Sequence, residues 1–233
     1  MTQPKYHSLF ELVSLIDEPN QVAILRFINA NRAVLQEACG SSHNHQAWKG
    51  GWWDHITEVM NIAVVLYPVL NALRPLPFTL SDALLVLFMH DIEKPWKYEE
   101  KDGVRVHRTG METKAKHQQF RMQVAGSWDI TLADEHVNGI KYAEGELDDY
   151  TPRHRVMGPL ASFVHMCDVS SACLWPNHPL AEDDPWQSAR RIAYTPEPVR
   201  DARPAVSEAV QSARRTEKPP GDCGVGCGCG FCN

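Results

Sequence analysis

The sequence lacks a positive charge balance, a long apolar run and the period-two alternation of β-strands, and each absence removes a class of protein. Its 23 Lys and Arg against 29 Asp and Glu leave a formal charge of -6. An acidic chain gains little from counterion release on a phosphate backbone, so non-specific nucleic-acid binding is disfavoured. The longest uncharged, mainly apolar run, Asn61 to Leu73, is broken by Pro68; it suits a buried core helix better than a bilayer span. No secretory signal is legible in MTQPKYHSLFELVSLIDEPN, where acids interrupt any apolar stretch. A cytoplasmic protein with no membrane contact is expected. Cysteines are few and scattered in the body (Cys39, Cys167 and Cys173), as for reduced buried thiols. No internal repeat is visible.

What is present is ordinary for a globular chain: 43% hydrophobic and 22% charged over 233 residues, enough for one buried core with a tail left over. Helical periodicity dominates, so the expected fold class is all-α. Helices are expected at about Leu9 to Ile16, Gln21 to Glu37, Trp52 to Leu66 (ahead of Pro68), Asp82 to Ile92, Thr113 to Gly126, Thr131 to Ala143 and Gly158 to Leu174, with a short one at Trp186 to Tyr194. Thr79 or Ser81 is a credible N-cap for the fourth. Asp102-Gly103 suits a hairpin turn. Residues 1–194 read as one helical domain and 195–233 as a flexible tail rich in Pro, Arg, Ser and Ala. That tail ends in GDCGVGCGCGFCN. Its Cys223, Cys227, Cys229 and Cys232 lack the separated C-x2-C knuckles of a zinc ribbon, so an oxidation-prone appendage is favoured over a thiolate metal site.

The sharpest local feature is His90-Asp91, at the end of the most hydrophobic helix (ALLVLFM). A carboxylate there is desolvated and faces the negative end of the helix dipole, a placement that calls for a cation. His55 follows GGWWD with Val59, Ile62 and Leu66 on the same helical side, which turns it toward the core. Asp168 interrupts the apolar PLASFVHMCDVSSACL and needs a partner for the same reason as Asp91. Two imidazoles and two carboxylates suit Mn, Co, Ni, Mg, Zn or Fe.

The order His55…His90-Asp91…Asp168 resembles the signature of the HD superfamily of metal-dependent phosphohydrolases. GGWWDHITEVMNIA is similar to that family's entry to its first ligand helix, LLVLFMHDIEKP to its apolar run ending in His-Asp-x-Gly-Lys, and PLASFVHMCDVSSA to its final helix. The likeness covers residues 50–174. It implies an all-α HD-domain bundle, His55, His90, Asp91 and Asp168 as ligands of one divalent ion, and hydrolysis of a phosphorylated small molecule. Glu93 stands where the family usually has Gly; it is a candidate general acid or base, an orienter of His90, or an exposed helix-end acid. Asp91 and Lys94 join it as candidate catalytic groups.

For the substrate, Lys94, Arg105 and Arg108 are candidate phosphate contacts, with Lys114 and Lys116 in the same basic stretch, and His117 is expected near the substrate. Trp52, with Trp48, Trp53 and Trp96, is a candidate stacking surface for a nucleobase, which tips the expectation toward a nucleotide. A second metal would need His117 and His136, with Glu144 and Glu146 nearby, and is less favoured than one. His165 reads as a hydrogen-bonded core histidine, and His43 and His45 as loop histidines at the mouth. The alternatives are a dinuclear-iron oxygenase of the same fold and a non-catalytic, metal-stabilised regulatory or binding module. Homo-oligomerisation is left open.

Overall fold

The computed structural model describes residues 4–41, 44–101, 104–179, 184–186 and 189, all within a compact unit spanning Met1–Asp201. The four clustered cysteines, the tail and most of the short helix expected at Trp186 to Tyr194 lie outside the described residues.

The chain is mostly helical. Helices α1 (Leu9–Val13), α2 (Asn20–Glu37), α3 (Gly51–Leu73) and α4 (Leu80–Met89) precede a short α5 (Lys94–Lys97), the strands β1 (Tyr98–Lys101) and β2 (Val104–His107), and then α6 (Lys114–Ser127), α7 (Asp134–Tyr142) and α8 (Pro159–Val169). A π-helical turn, Ser170–Leu174, extends α8. The strands pair antiparallel, Tyr98 opposite His107 and Lys101 opposite Val104; Asp102 and Gly103 between them lie outside the described residues.

Helix α4 is the centre. All its residues from Ala83 to Met89 are buried, and it packs on α1, α3, α7 and α8, which accounts for its unbroken apolar sequence. Its start is fixed by a reciprocal cap: the Thr79 hydroxyl accepts from the Asp82 amide, and Asp82 accepts from the Thr79 amide at 2.7 Å. The other Asp82 oxygen takes His136 Nε2 at 2.9 Å, while His136 Nδ1 accepts from the Ala133 amide at 3.0 Å. A carboxylate and an imidazole thus pin the starts of α4 and α7 together.

Helix α3 is longer than its sequence suggests, because it runs through Pro68 to Leu73. Pro68 removes one hydrogen bond to the carbonyl of Val64. That face is exposed at Pro68 and half-exposed at Val64, so water can take the carbonyl and the break is tolerated. With 23 residues the helix is also long and apolar enough to cross a membrane by length and composition. Its first thirteen residues, Gly51 to Ala63, are buried against the rest of the fold, and packing accounts for their apolar character.

Candidate metal centre

Three helix ends meet at one point. His55 lies one turn into α3, His90 and Asp91 follow the last turn of α4, and Asp168 is near the end of α8. His55 Nε2 stands 3.5 Å from Asp91 Oδ2 and 3.1 Å from Asp168 Oδ1; His90 Nε2 stands 3.3 and 3.6 Å from the same two oxygens. His55, His90 and Asp91 form a buried group whose donor atoms all lie within 4.8 Å of one another, and such a group can hold a metal ion.

The surroundings orient both imidazoles. His90 Nδ1 is 2.6 Å from the carbonyl of Leu87; a carbonyl only accepts, so Nδ1 carries the hydrogen and, in the neutral ring, Nε2 keeps its lone pair. Ser171 Oγ is 3.3 Å from His55 Nδ1 and gives its own proton to Glu58 Oε2 at 3.2 Å. It therefore accepts from His55, with the same outcome. Glu58 Oε2 also accepts from Gln46 Nε2 at 3.1 Å. Ser171 thus orients the His55 ring from its Nδ1 side and leaves the Nε2 lone pair facing Asp168 Oδ1. A shell of this kind is what tunes a metal-binding histidine. Both Nε2 atoms are buried without a hydrogen-bond partner, the arrangement expected of lone pairs that face a cation.

The electrostatics agree. Burial alone would lower the pKa of His90, but Asp91 and Asp168 outweigh it and lift the ring to about 10. Burial wins at His55, whose pKa is lowered despite Asp168. The two rings together therefore demand one positive charge. Lys94, held in its charged form against the pull of burial by Asp91 and Asp168, supplies a second from beside Asp91. A divalent ion would replace the His90 proton. Behind the ligands, burial pushes Glu58 up to about 8 against its hydrogen bonds from Ser171 and Gln46.

The Gly-Gly entry has a steric origin. Gly50 caps α3 at φ 79°, a region that favours glycine. A Cβ at Gly51 would lie 1.8 Å from the carbonyl oxygen of Gln46, which is backbone and cannot rotate away. Gly51→Ala is expected to cost at least about 1–3 kcal/mol, the usual range for overpacking, and to displace His55 four residues on. Denaturant unfolding and metal titration would check this; unchanged values for both would refute it.

Several expected substrate contacts sit elsewhere. Trp52 is fully buried and donates from Nε1 to the carbonyl of Asp91 at 2.8 Å. It holds the His-Asp turn in place and presents no ring face to a ligand. Trp48 donates to Asp54, Trp53 packs on Phe10, and Trp96 packs on Phe27 and Phe120, so this cluster is packing. Glu93 is neither exposed nor an orienter of His90. Arg121 clamps both its oxygens at 2.7 and 2.8 Å and also donates to the carbonyl of Ile140 at 3.1 Å. A carboxylate so engaged is a poor general acid or base. Lys114 pairs with Glu144 and Lys116 with Glu112, Arg108 is exposed, and the Arg105 side chain lies outside the described residues.

His117 and His136 do not join the cluster. His136 has both ring nitrogens engaged in the α4–α7 junction. His117 donates from Nε2 to the carbonyl of Met111 at 3.0 Å and lines a separate cavity. Glu146 accepts from the amides of Val156 and Met157 and pairs with Arg155. His165 bonds the carbonyl of Ala143 through Nδ1, and His43 lies outside the described residues.

Sequence reasoning overlooked Arg121, Ser171 and Glu58. The available signal for Arg121 was spacing: His117, Arg121 and Ala125 are the buried residues of α6 and recur every four positions. No family model matches the chain, and no curated protein or solved structure matches it; the helical fold and the buried His-His-Asp group are compatible with an HD domain.

Proposed function

We propose that the chain is an HD-type phosphohydrolase with one divalent ion, acting on a nucleotide that carries a single phosphate. The observation that carries this reading is the pair of buried, unpartnered Nε2 atoms of His55 and His90 facing the carboxylates of Asp91 and Asp168. These four residues would hold the ion; their mixture of imidazole nitrogen and carboxylate oxygen suits Mn, Fe, Co, Ni, Zn or Mg. When bound, such an ion supplies Lewis acidity toward a phosphoryl group and a water of lowered pKa. Lys94 places an ammonium beside Asp91, where it can balance charge on the phosphoryl oxygens.

A cavity of about 550 Å³ is lined by Arg121, the cation of the Arg121–Glu93 clamp, with His117, Gln118, Tyr142 and Glu144 among others. It is within electrostatic reach of the cluster, since the charges of Asp91 and Lys94 both act on Glu144. That volume accommodates a nucleoside. The cations around it are already paired: Lys114 with Glu144, Lys141 with Asp149, Arg121 with Glu93. A triphosphate would find little there to neutralise its second and third phosphates, whereas a neutral nucleoside meets hydrogen-bonding groups. The engagement of both His136 nitrogens argues for one ion and against the dinuclear-iron oxygenase.

The protein loaded with Mn, Co, Ni or Mg is expected to release inorganic phosphate from nucleoside monophosphates at least about tenfold faster than from triphosphates, a margin of about 1.4 kcal/mol in transition-state stabilisation. EDTA should abolish the release. A protein that takes up one ion yet hydrolyses no nucleotide would defeat the enzymatic reading and leave a metal-stabilised module.

A further inference from the structure

The unpartnered ring nitrogens extend beyond the ligand pair. Among the described residues, the buried imidazole nitrogens without a hydrogen-bond partner belong to His55, His90 and His45. Other histidines of the fold engage theirs: His136 uses both, while His117 and His165 each meet a backbone carbonyl. Orphaned nitrogens thus occur where the fold surrounds the cluster, and His45 shares the condition of the two ligands.

His45 is held in place by construction. The Ser41 hydroxyl donates to its carbonyl at 2.7 Å and accepts from its amide at 2.9 Å. The next residue, Gln46, is fully buried at φ 40°, donates its amide to the carbonyl of Pro176 at 2.8 Å, and directs Nε2 toward Glu58 Oε2 and the carbonyl of His178. The His45 ring lies 5.0 Å from that of His55, centroid to centroid, tilted by 38°. Asp91, Asp168 and Lys94 all act electrostatically on it. It stands outside the group of His55, His90 and Asp91, and unlike Asp168, whose Oδ1 is 3.1 Å from His55 Nε2 and 3.6 Å from His90 Nε2, it meets His55 ring to ring; its place is one layer beyond the ligands.

We propose that His45 is a substrate-contacting residue of this centre, its Nε2 making a hydrogen bond to an oxygen of a phosphate bound beside the cluster. The proposal rests on the reading of the cluster as a divalent-metal site that takes a phosphate. An unpartnered ring nitrogen suits a donor whose acceptor is an oxygen of the ligand. The histidine needs no charge for this; a neutral ring with hydrogen on Nε2 suffices.

The test uses the full chain with Mn²⁺ alone and then with inorganic phosphate added to the Mn²⁺-loaded protein, comparing parent, His45→Ala and His45→Gln. Expected are Mn²⁺ affinities within about threefold of the parent for both variants, as for a residue that is not a ligand. Phosphate affinity should fall about tenfold or more in His45→Ala, the size of one hydrogen bond to a charged group. His45→Gln, whose amide can still donate, should recover part of the loss. A merely structural histidine would leave phosphate affinity unmoved, and that result overturns the proposal alone. A hundredfold fall in Mn²⁺ affinity would make His45 a ligand and overturn it as well. A parent that binds no Mn²⁺ overturns the metal reading and this proposal with it.

Discussion

Raising the pH from 7 to 9 is expected to tighten binding of a divalent ion about a hundredfold, tenfold for each proton-linked pH unit. The cause is the single proton that the metal-free cluster holds on His90, whose pKa the two carboxylates raise to about 10 against the effect of burial. His55 titrates in the opposite sense, lowered by burial, and is already neutral at pH 7, so one proton leaves and not two. The sign for stability follows. A ring whose folded pKa lies above its unfolded value stabilises the metal-free fold fully below about 6.5 and loses that contribution as pH rises through about 10. The metal-free protein should weaken across that window and the metal-loaded protein should not. Competition against a chelating dye at several pH values gives the slope, and calorimetry in buffers of different ionisation heat counts the proton. In His90→Ala both the affinity and the released proton should be lost. A parent affinity flat between pH 7 and 9 would remove His90 from the ligand set.

The features that sequence alone revealed are the local ones. The Thr79 cap and the apolar α4 follow from neighbours a few residues apart. The four cluster residues stood out because charged groups in apolar helices need a partner. Direction and long-range pairing were not legible. Trp52 reads as aromatic whichever way its indole points, and only the fold turns it onto the Asp91 carbonyl. Pro68 reads as a helix end, yet the partial exposure of that turn lets α3 continue. Ser171 owes its inward position to a π turn with no sequence mark. His136 has a ligand's chemistry, and the proximity of Asp82, 54 residues away, makes it a junction instead. Glu93 and Arg121 are 28 residues apart, and nothing local to either names the other as its partner.

That clamp makes the second large effect predictable. Glu93 and Arg121 are 1% and 7% exposed, and their bidentate contact is the principal compensation either charge has. Arg121→Met leaves the Glu93 carboxylate buried without its cation, a loss of about 3–5 kcal/mol; in a domain of this size that corresponds to a fall in Tm of about 6–20 °C. The damage should also reach the metal centre. Glu93 sits between Asp91 and Lys94, and its charge already acts on Lys94. Released from Arg121, it would compete with Asp91 for that ammonium and weaken the ion's site. Removing both charges in Glu93→Leu/Arg121→Met should restore most of the stability, because a buried ion pair replaced by apolar groups of similar size is often close to neutral. What the double variant does not recover is the hydrogen bond from Arg121 to the carbonyl of Ile140, which costs about 1 kcal/mol and loosens α7 against α6. Chemical unfolding of parent, both single variants and the double variant gives the coupling directly. A single Arg121→Met variant as stable as the parent would mean that water reaches Glu93, and the case against Glu93 as a proton-transferring group would then fall with the clamp.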